Sequence, residues 1–197
     1  MIMMAAELIA GVNTGNCSSN PSVLSMISYN MHGFYQGLSV LQELTDHVCD
    51  KPDILLLQEH WLTPANLFKF DDYFTDYFSF GCSAMTKCVQ SGVLTGRPFG
   101  GVITVVNKRL RKITETVCCH ERYNIIRISN YLIINVYMPC AGTADRLLIC
   151  SDILADIQSW CDSTTLVMLL WRVTLTVTFL VLIKLSTVSL ILCVLIL

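Results

Sequence analysis

Apolar and polar positions follow two rhythms along this chain, one of strands and one of helices. "SVLSMISYN" (22–30) is a β-rich run that ends on Asn30, and "HGFYQG" (32–37) reads as a glycine-bounded loop. "LSVLQELTDHVCD" (38–50) sets Leu38, Leu41, Leu44 and Val48 on one face, the spacing of a helix. Lys51-Pro52 closes it. "DILLL" (53–57) is continuously apolar, as a strand buried on both faces is. Four more strands are expected at 100–106, 113–118, 122–128 and 131–137, with connections short enough for antiparallel neighbours. A second helix is expected over 143–160, with Thr143 as its N-cap and Leu147, Leu154, Ile157 and Trp160 near one face. The aromatic segment 62–99 reads as loop, with no element placed in it.

These elements divide the chain into three parts. Residues 1–21 form a loose lead-in, residues 22–163 a mixed α/β domain, and residues 164–197 a hydrophobic tail in which only Arg172 and Lys184 carry charge. A stretch of about 20 apolar residues can cross a bilayer, so 173–197 is a candidate transmembrane segment and a membrane is a candidate partner. Lys184, near its middle, would cost roughly 2.5–3.5 kcal/mol on insertion. Leu and Val, at about 0.3–0.6 kcal/mol each, offset that. In water the same segment, rich in Val, Thr, Leu and Ile, is an aggregation hazard.

Composition narrows the classes. The chain has 197 residues, enough for one domain with a real core. At 53% hydrophobic and 14% charged it is too apolar to be disordered, and a net charge of −2 gives no global attraction to nucleic acid. The ten cysteines form no C-x-x-C pair and no His lies at zinc-finger spacing, which argues against a zinc site. They read as reduced and mostly buried, the commoner state in a cell interior.

The candidate chemistry lies at strand ends. Asn30 ends the first strand, Glu59 follows the second within "QEHW", and Tyr137 ends a later one. Glutamate and asparagine oxygens are hard ligands suited to Mg²⁺, which needs only one or two protein oxygens. A tyrosine hydroxyl can donate to a phosphate oxygen. Each residue also has a plainer reading: Asn30 as a strand end before a glycine turn, Glu59 as a solvated rim carboxylate, Tyr137 as a core aromatic with its hydroxyl at the surface. His32 and His60 read as loop residues flanking the site, and Trp61 as packing. The "KRLRK" run (108–112) reads as a solvated hairpin tip more readily than as a phosphate contact.

Taken in order, "SYNMHG", "DILLLQEHWL", "GRPFGGVITV" and "IINVYMPCAG" make the sequence resemble the endonuclease/exonuclease/phosphatase superfamily. Within it the look is nearest to the apurinic-type endonuclease domain of LINE-like (non-LTR) retrotransposons. The resemblance covers roughly 22–162. It implies an α/β fold, a four-layer α-β-β-α sandwich present as its N-terminal portion, followed by a hydrophobic C-terminal helix or tail. It implies hydrolysis of phosphodiesters or phosphomonoesters with Mg²⁺, or Mn²⁺ in its place, and DNA as partner. In the retrotransposon version the nick supplies a 3′-hydroxyl for reverse transcription. Carried over by motif, Asn30 would help bind metal or substrate, Glu59 would be the metal carboxylate, and Tyr137 would contact the scissile phosphate or help orient the nucleophile. Ancestry implies a nuclear or cytoplasmic location, or a membrane if the tail inserts.

Two motifs of that family are missing: a Gly-Asp-Phe-Asn segment and a late Ser-Asp-His segment that supplies the general base. After Glu59 the only histidines are His60 and His120, and neither belongs to such a motif. Loss of a general base costs on the order of 10²–10⁴ in rate, so little or no turnover is expected. Suitable codons for "LLWRVTLTVTF" (169–179), read one base earlier, encode "AMAGDFNSDI". The lost motif then reappears where the family would have it, as in a truncated, frameshifted copy of a retrotransposon reading frame. The alternatives are a non-catalytic membrane-tethered protein, and a phosphatase or lipid phosphodiesterase of the same superfamily.

Overall fold

A computed structural model describes the backbone of residues 3–9, 23–46, 51–92, 96–129, 131–163, 167–173, 178–185 and 188–195, and side chains within 24–43, 51–92, 96–129 and 131–163. The elements are β1 (Met3–Ile9), β2 (Val23–Asn30), α1 (Phe34–Asp46), β3 (Ile54–Gln58), α2 (Lys69–Tyr73), β4 (Tyr77–Cys82), α3 (Thr86–Gln90) and β5 (Val102–Asn107). There follow β6 (Thr114–Cys119), β7 (Tyr123–Ile128), β8 (Tyr131–Tyr137), α4 (Arg146–Asp162), β9 (Val167–Val173), β10 (Thr178–Leu185) and β11 (Val188–Leu195).

The strands form two sheets, in the orders β1-β2-β3-β5-β4 and β11-β10-β9-β8-β7-β6. Each sheet contains a parallel pair joined through a long helix. In the first, β2 and β3 pair in parallel around α1, with Asn30 opposite Gln58. In the second, β8 and β9 pair in parallel around α4, with Tyr137 opposite Val173. A parallel pair needs such a crossover, and its strand ends then open at the same edge of the sheet.

Three apolar clusters make the layers. Between the sheets lie Leu24, Met26, Ile54, Leu56 and Val106 against Ile126, Ile128 and Ile133. Phe34, Leu38 and Leu41 of α1 cover Ile27, Leu55, Leu57 and Ile103 on one outer face. Ile153, Ile157 and Cys161 of α4 cover Ile125, Leu132, Ile134 and Val136 on the other. The unbroken run of β3 is thereby explained. Successive side chains alternate faces, so Ile54 and Leu56 serve the inner core while Leu55 and Leu57 serve the core under α1. At about 1.5–3 kcal/mol for each fully buried aliphatic side chain, both faces contribute to stability. The α-β-β-α order is the one the resemblance implies.

Several expectations need correction. Helix α1 begins at Phe34, within the expected loop 32–37, because Phe34 supplies the first turn of the stripe Phe34, Leu38, Leu41. Leu44 and Val48 lie outside the described side chains. Helix α4 begins at Arg146, and its N-cap is Asp145, held at φ 53 without a side-chain capping bond, instead of Thr143. Its inward stripe is Ile153, Ile157 and Cys161, and Leu147 is 82% exposed. The segment 62–99 contains α2, β4 and α3. Met3–Ile9, within the expected lead-in, pairs antiparallel with the free edge of β2. The basic run is a 3₁₀ turn (Lys108–Ile113) crossing from one sheet to the other; Leu110 is buried, and Arg109 donates through Nε to Asp53 at 2.6 Å. Of the cysteines in the described residues only Cys161 is buried. In the tail the described residues are strands, and the candidate transmembrane segment 173–197 lies only partly within the described residues. Among the described residues no helix is long and apolar enough to cross a membrane.

Candidate functional site

The site is built by the backbone that follows β3. Glu59 and Trp61 both stand in the left-handed region, at φ 54 each. Non-glycine residues rarely adopt it, so neighbours must hold the turn in place. They do so from both sides. Met31, Gly33 and Phe34 donate their N–H groups to the carbonyls of Gln58, Glu59 and His60 at 2.8–2.9 Å. On the other side the N–H of Glu59 reaches the carbonyl of Gly101 at 2.9 Å, and that of Trp61 reaches Gly100 at 3.0 Å. Gly101 sits at φ 88, and a Cβ there would overlap the His60 ring. The "GG" of one motif therefore exists to let a strand approach the "QEHW" of another.

His60 has no surface exposure. Its Nδ1 accepts from the N–H of Leu62 at 3.0 Å, so Nε2 carries the proton and faces the carbonyl of Cys82 at 3.3 Å. Burial lowers its pKa from 6.5 to about 4, against a smaller opposing effect of the Cys82 carbonyl. It is a neutral structural group: the loop position expected of it holds, but its side chain is buried in the turn.

The side chains of Asn30, Glu59 and Tyr137 converge. Asn30 Nδ2 donates to Glu59 Oε1 at 2.9 Å, while its Oδ1 accepts from the N–H of His32 at 3.1 Å. The backbone donor fixes the amide's orientation, so nitrogen and not oxygen faces the carboxylate. His32 Nδ1 lies 3.5 Å from Glu59 Oε2. From the opposite sheet the Tyr137 hydroxyl hydrogen-bonds to Glu59; burial first, and then this carboxylate, raise the phenol's pKa. Glu59 is only 5% exposed.

Under this cluster lies a polar bridge between the sheets that pattern reading missed. Gln58 Nε2 donates to Asn135 Oδ1 at 2.7 Å, and Asn135 Nδ2 donates to the carbonyls of Ile103 at 2.9 Å and Leu57 at 3.2 Å. Gln58 Oε1 is buried and has no hydrogen-bond partner among the described residues. The available signal was a single amide inside each apolar run, "LLLQ" and "IINVY".

The cluster opens into a groove of about 660 Å³ whose walls come from both sheets. Lys87, Arg97 and Arg122 line it together with Glu59 and Glu121. The Arg97 guanidinium lies 4.7 Å over the Trp61 ring, and that of Arg122 5.9 Å over Tyr137. Trp61, expected to pack, does so against Gly33 and His32, and also forms groove wall. His120 is a turn residue, accepting from the N–H of Arg122 and stacked on Tyr123. Among the described residues no group of three His, Cys, Asp or Glu side chains could enclose a metal ion. Two carboxylates, Glu59 and Glu121, line the groove, and Glu59 is the one at the Asn30–Tyr137 cluster. That suits a cation such as Mg²⁺, which takes one or two carboxylates and completes its shell with water and phosphate.

No family model matches the sequence, and no curated protein matches it. Solved structures do match in fold. The 3′ phosphatase NExo from Neisseria, bound to a product DNA hairpin, aligns over 74% of this chain and 56% of its own, at 18% identity and a TM-score of 0.52. An AP endonuclease from Archaeoglobus fulgidus aligns over 75% of this chain and 55% of its own, at 15% identity and a TM-score of 0.51. The catalytic domain of Xenopus laevis APE2 aligns over 74% and 56%, at 16% identity and a TM-score of 0.50. The chain thus spans a little over half the length of these structures. Two facing sheets with a crossover helix on each outer side, matched to these enzymes, give this chain the fold of the endonuclease/exonuclease/phosphatase superfamily.

Proposed function

We propose that this chain carries the metal-binding half of a phosphodiester-hydrolysing site, descended from a retrotransposon endonuclease, with DNA as its substrate and little or no turnover of its own. The observation that carries the reading is the convergence of Asn30, Glu59 and Tyr137, from two sheets, at the floor of a groove with basic walls. Glu59 would hold Mg²⁺, or Mn²⁺ in its place, and the bound cation would polarise a phosphoryl oxygen. Asn30 keeps the carboxylate aimed through its amide nitrogen. Tyr137, whose phenol stays protonated, can turn its hydroxyl to a phosphate oxygen once Glu59 is engaged elsewhere. Arg97, Arg122 and Lys87 can neutralise flanking phosphates.

Among the described residues no histidine stands in the family's late general-base motif, and His32 lies against Glu59, 3.5 Å from its Oε2. His60 is buried and neutral, and His120 is occupied in its turn. Strand β9 ends at Val173, in register with Tyr137 and so at the level of the site. With suitable codons Gly-Asp-Phe-Asn in the neighbouring reading frame would begin at that point, which is compatible with descent by frameshift. Codons across 169–179 that cannot yield the motif in a neighbouring frame would contradict that descent.

The activity test uses the full chain, supercoiled plasmid and Mg²⁺. Slow nicking is expected, abolished by chelation and by Glu59→Ala and reduced by Tyr137→Phe. Nicking that survives Glu59→Ala would remove Glu59 from the reaction. Substrates separate the neighbouring chemistries: release of phosphate from a 3′-phosphorylated oligonucleotide, without plasmid nicking, would mark a phosphatase instead.

A further inference from the structure

The two sheets also meet through sulfur. Cys82 closes β4 in one sheet and Cys119 closes β6 in the other, and their Sγ atoms are 2.9 Å apart, both as free thiols. A disulfide needs about 2.05 Å, so less than an ångström separates contact from bond.

An irregularity in β6 chooses which cysteine takes this position. Pairing with β7 runs Thr116 opposite Ile126 and then Cys118 opposite Ile125, which leaves Val117 as an extra residue. In regular register Cys118 would oppose Asn124. Asn124 faces the other sheet, donating to the carbonyl of Phe80 at 3.0 Å. The bulge instead sets Cys119 opposite Asn124, and so toward Cys82, and turns Cys118 outward into the layer under α4. Bulges re-aim side chains in this way.

We infer that Cys82 and Cys119 are a redox-active pair, which a soluble disulfide of the glutathione class converts into a bond between the two sheets at the mouth of the groove. Cys119, the more exposed, attacks one sulfur of the oxidant as thiolate and expels the first thiol. Cys82 then attacks Cys119 Sγ of the mixed disulfide and expels the second. Two protein thiols and one disulfide become one protein disulfide and two thiols, with electrons and protons balanced. The shared proton favours this order. The contact between the two sulfurs lowers the pKa of Cys119 and raises that of Cys82. Beyond each cysteine the chain continues into two stretches of groove wall, Ala84 and Lys87 in one and Glu121 and Arg122 in the other, which meet where Lys87 Nζ lies 3.8 Å from Glu121 Oε2. The bond would fix the distance between those stretches. Nothing in this inference requires the groove to be catalytic.

The test incubates the full chain with oxidised glutathione and maps disulfides by mass spectrometry without reduction. Wild type should yield one linked peptide pair joining Cys82 to Cys119, released by dithiothreitol. Cys118→Ser should keep that link, and Cys82→Ser should leave a stable glutathione adduct on Cys119. Hydrogen exchange in 83–90 and 119–123 should slow on oxidation of wild type. A link from Cys82 to Cys118, a persistent glutathione adduct on Cys119 in wild type, or both thiols left free at equilibrium with the oxidant would overturn the inference.

Discussion

Replacing Gly101 by alanine tests how the site is held. Gly101 contributes a carbonyl to the N–H of Glu59 and stands at φ 88 against the His60 ring. Alanine there carries two penalties. The left-handed backbone costs roughly 1–2 kcal/mol for a residue with a Cβ. Overlap of the new methyl with His60 adds about 1–3 kcal/mol of overpacking. His60 has little room to retreat, because Leu62 and Cys82 bind its two nitrogens and the Phe70 ring meets it edge-on at 5.6 Å. The total is about 2–5 kcal/mol. Gly92→Ala is the matched control: its φ is 71 and nothing lies within 4 Å of the added Cβ, so only the backbone penalty applies. Urea unfolding of the full chain, followed by tryptophan fluorescence, measures both. At an m-value of about 2 kcal/mol/M the Gly101 variant should lose roughly 1–2.5 M in midpoint, and the Gly92 variant about half to one M. Equal losses in the two variants, within about 0.5 kcal/mol, would refute the claim that Gly101 is required by the His60 ring.

Three further outcomes follow from the same geometry. His60, whose pKa falls from 6.5 unfolded to about 4 folded, contributes stability that is complete above pH 6.5 and lost as pH falls toward 4; the swing of about 3 kcal/mol should vanish from unfolding midpoints in His60→Asn. Tyr137, raised above its ordinary 10 by burial and by Glu59, contributes stability that is complete below pH 10 and lost above it; absorbance at high pH should show its phenolate appearing at lower pH in Glu59→Gln. Asn135→Ala removes four hydrogen bonds beneath the site, two of them donated to carbonyls of the first sheet, and should cost about 3–5 kcal/mol in the same unfolding assay.

The strands were legible in sequence because their burial is periodic or continuous, and β5, β7 and β8 fall within two residues of their expected bounds. The convergence of Asn30, Glu59 and Tyr137 was legible for a related reason: a polar group that ends an apolar run stands at the edge of the sheet, where strands from both sheets can meet. The helix ends were harder. Phe34 starts α1 inside a glycine-flanked stretch, and α4 buries Cys161 and Ile153 while leaving Leu147 in solvent, so the most apolar stripe was not the inward one. The choice between Cys118 and Cys119 turns on one inserted residue, and strict alternation gives the wrong one. The Gln58–Asn135 bridge depends on contact across about 77 positions, which no local window contains. Cysteine exposure is not legible from compartment, which sets the redox state and not the packing: Cys119 and Cys140 are exposed.

The central claim is that Glu59, aimed by Asn30, binds a divalent cation at the groove floor. Titrating the full chain with Mn²⁺ and following free Mn²⁺ by electron paramagnetic resonance measures this without any turnover. The account predicts one site, displaced by excess Mg²⁺, lost in Glu59→Gln and weakened about tenfold or more in Asn30→Ala, the scale on which residues that orient a ligand act. Binding that is unchanged in Glu59→Gln, or no binding by wild type at millimolar Mn²⁺, would contradict it.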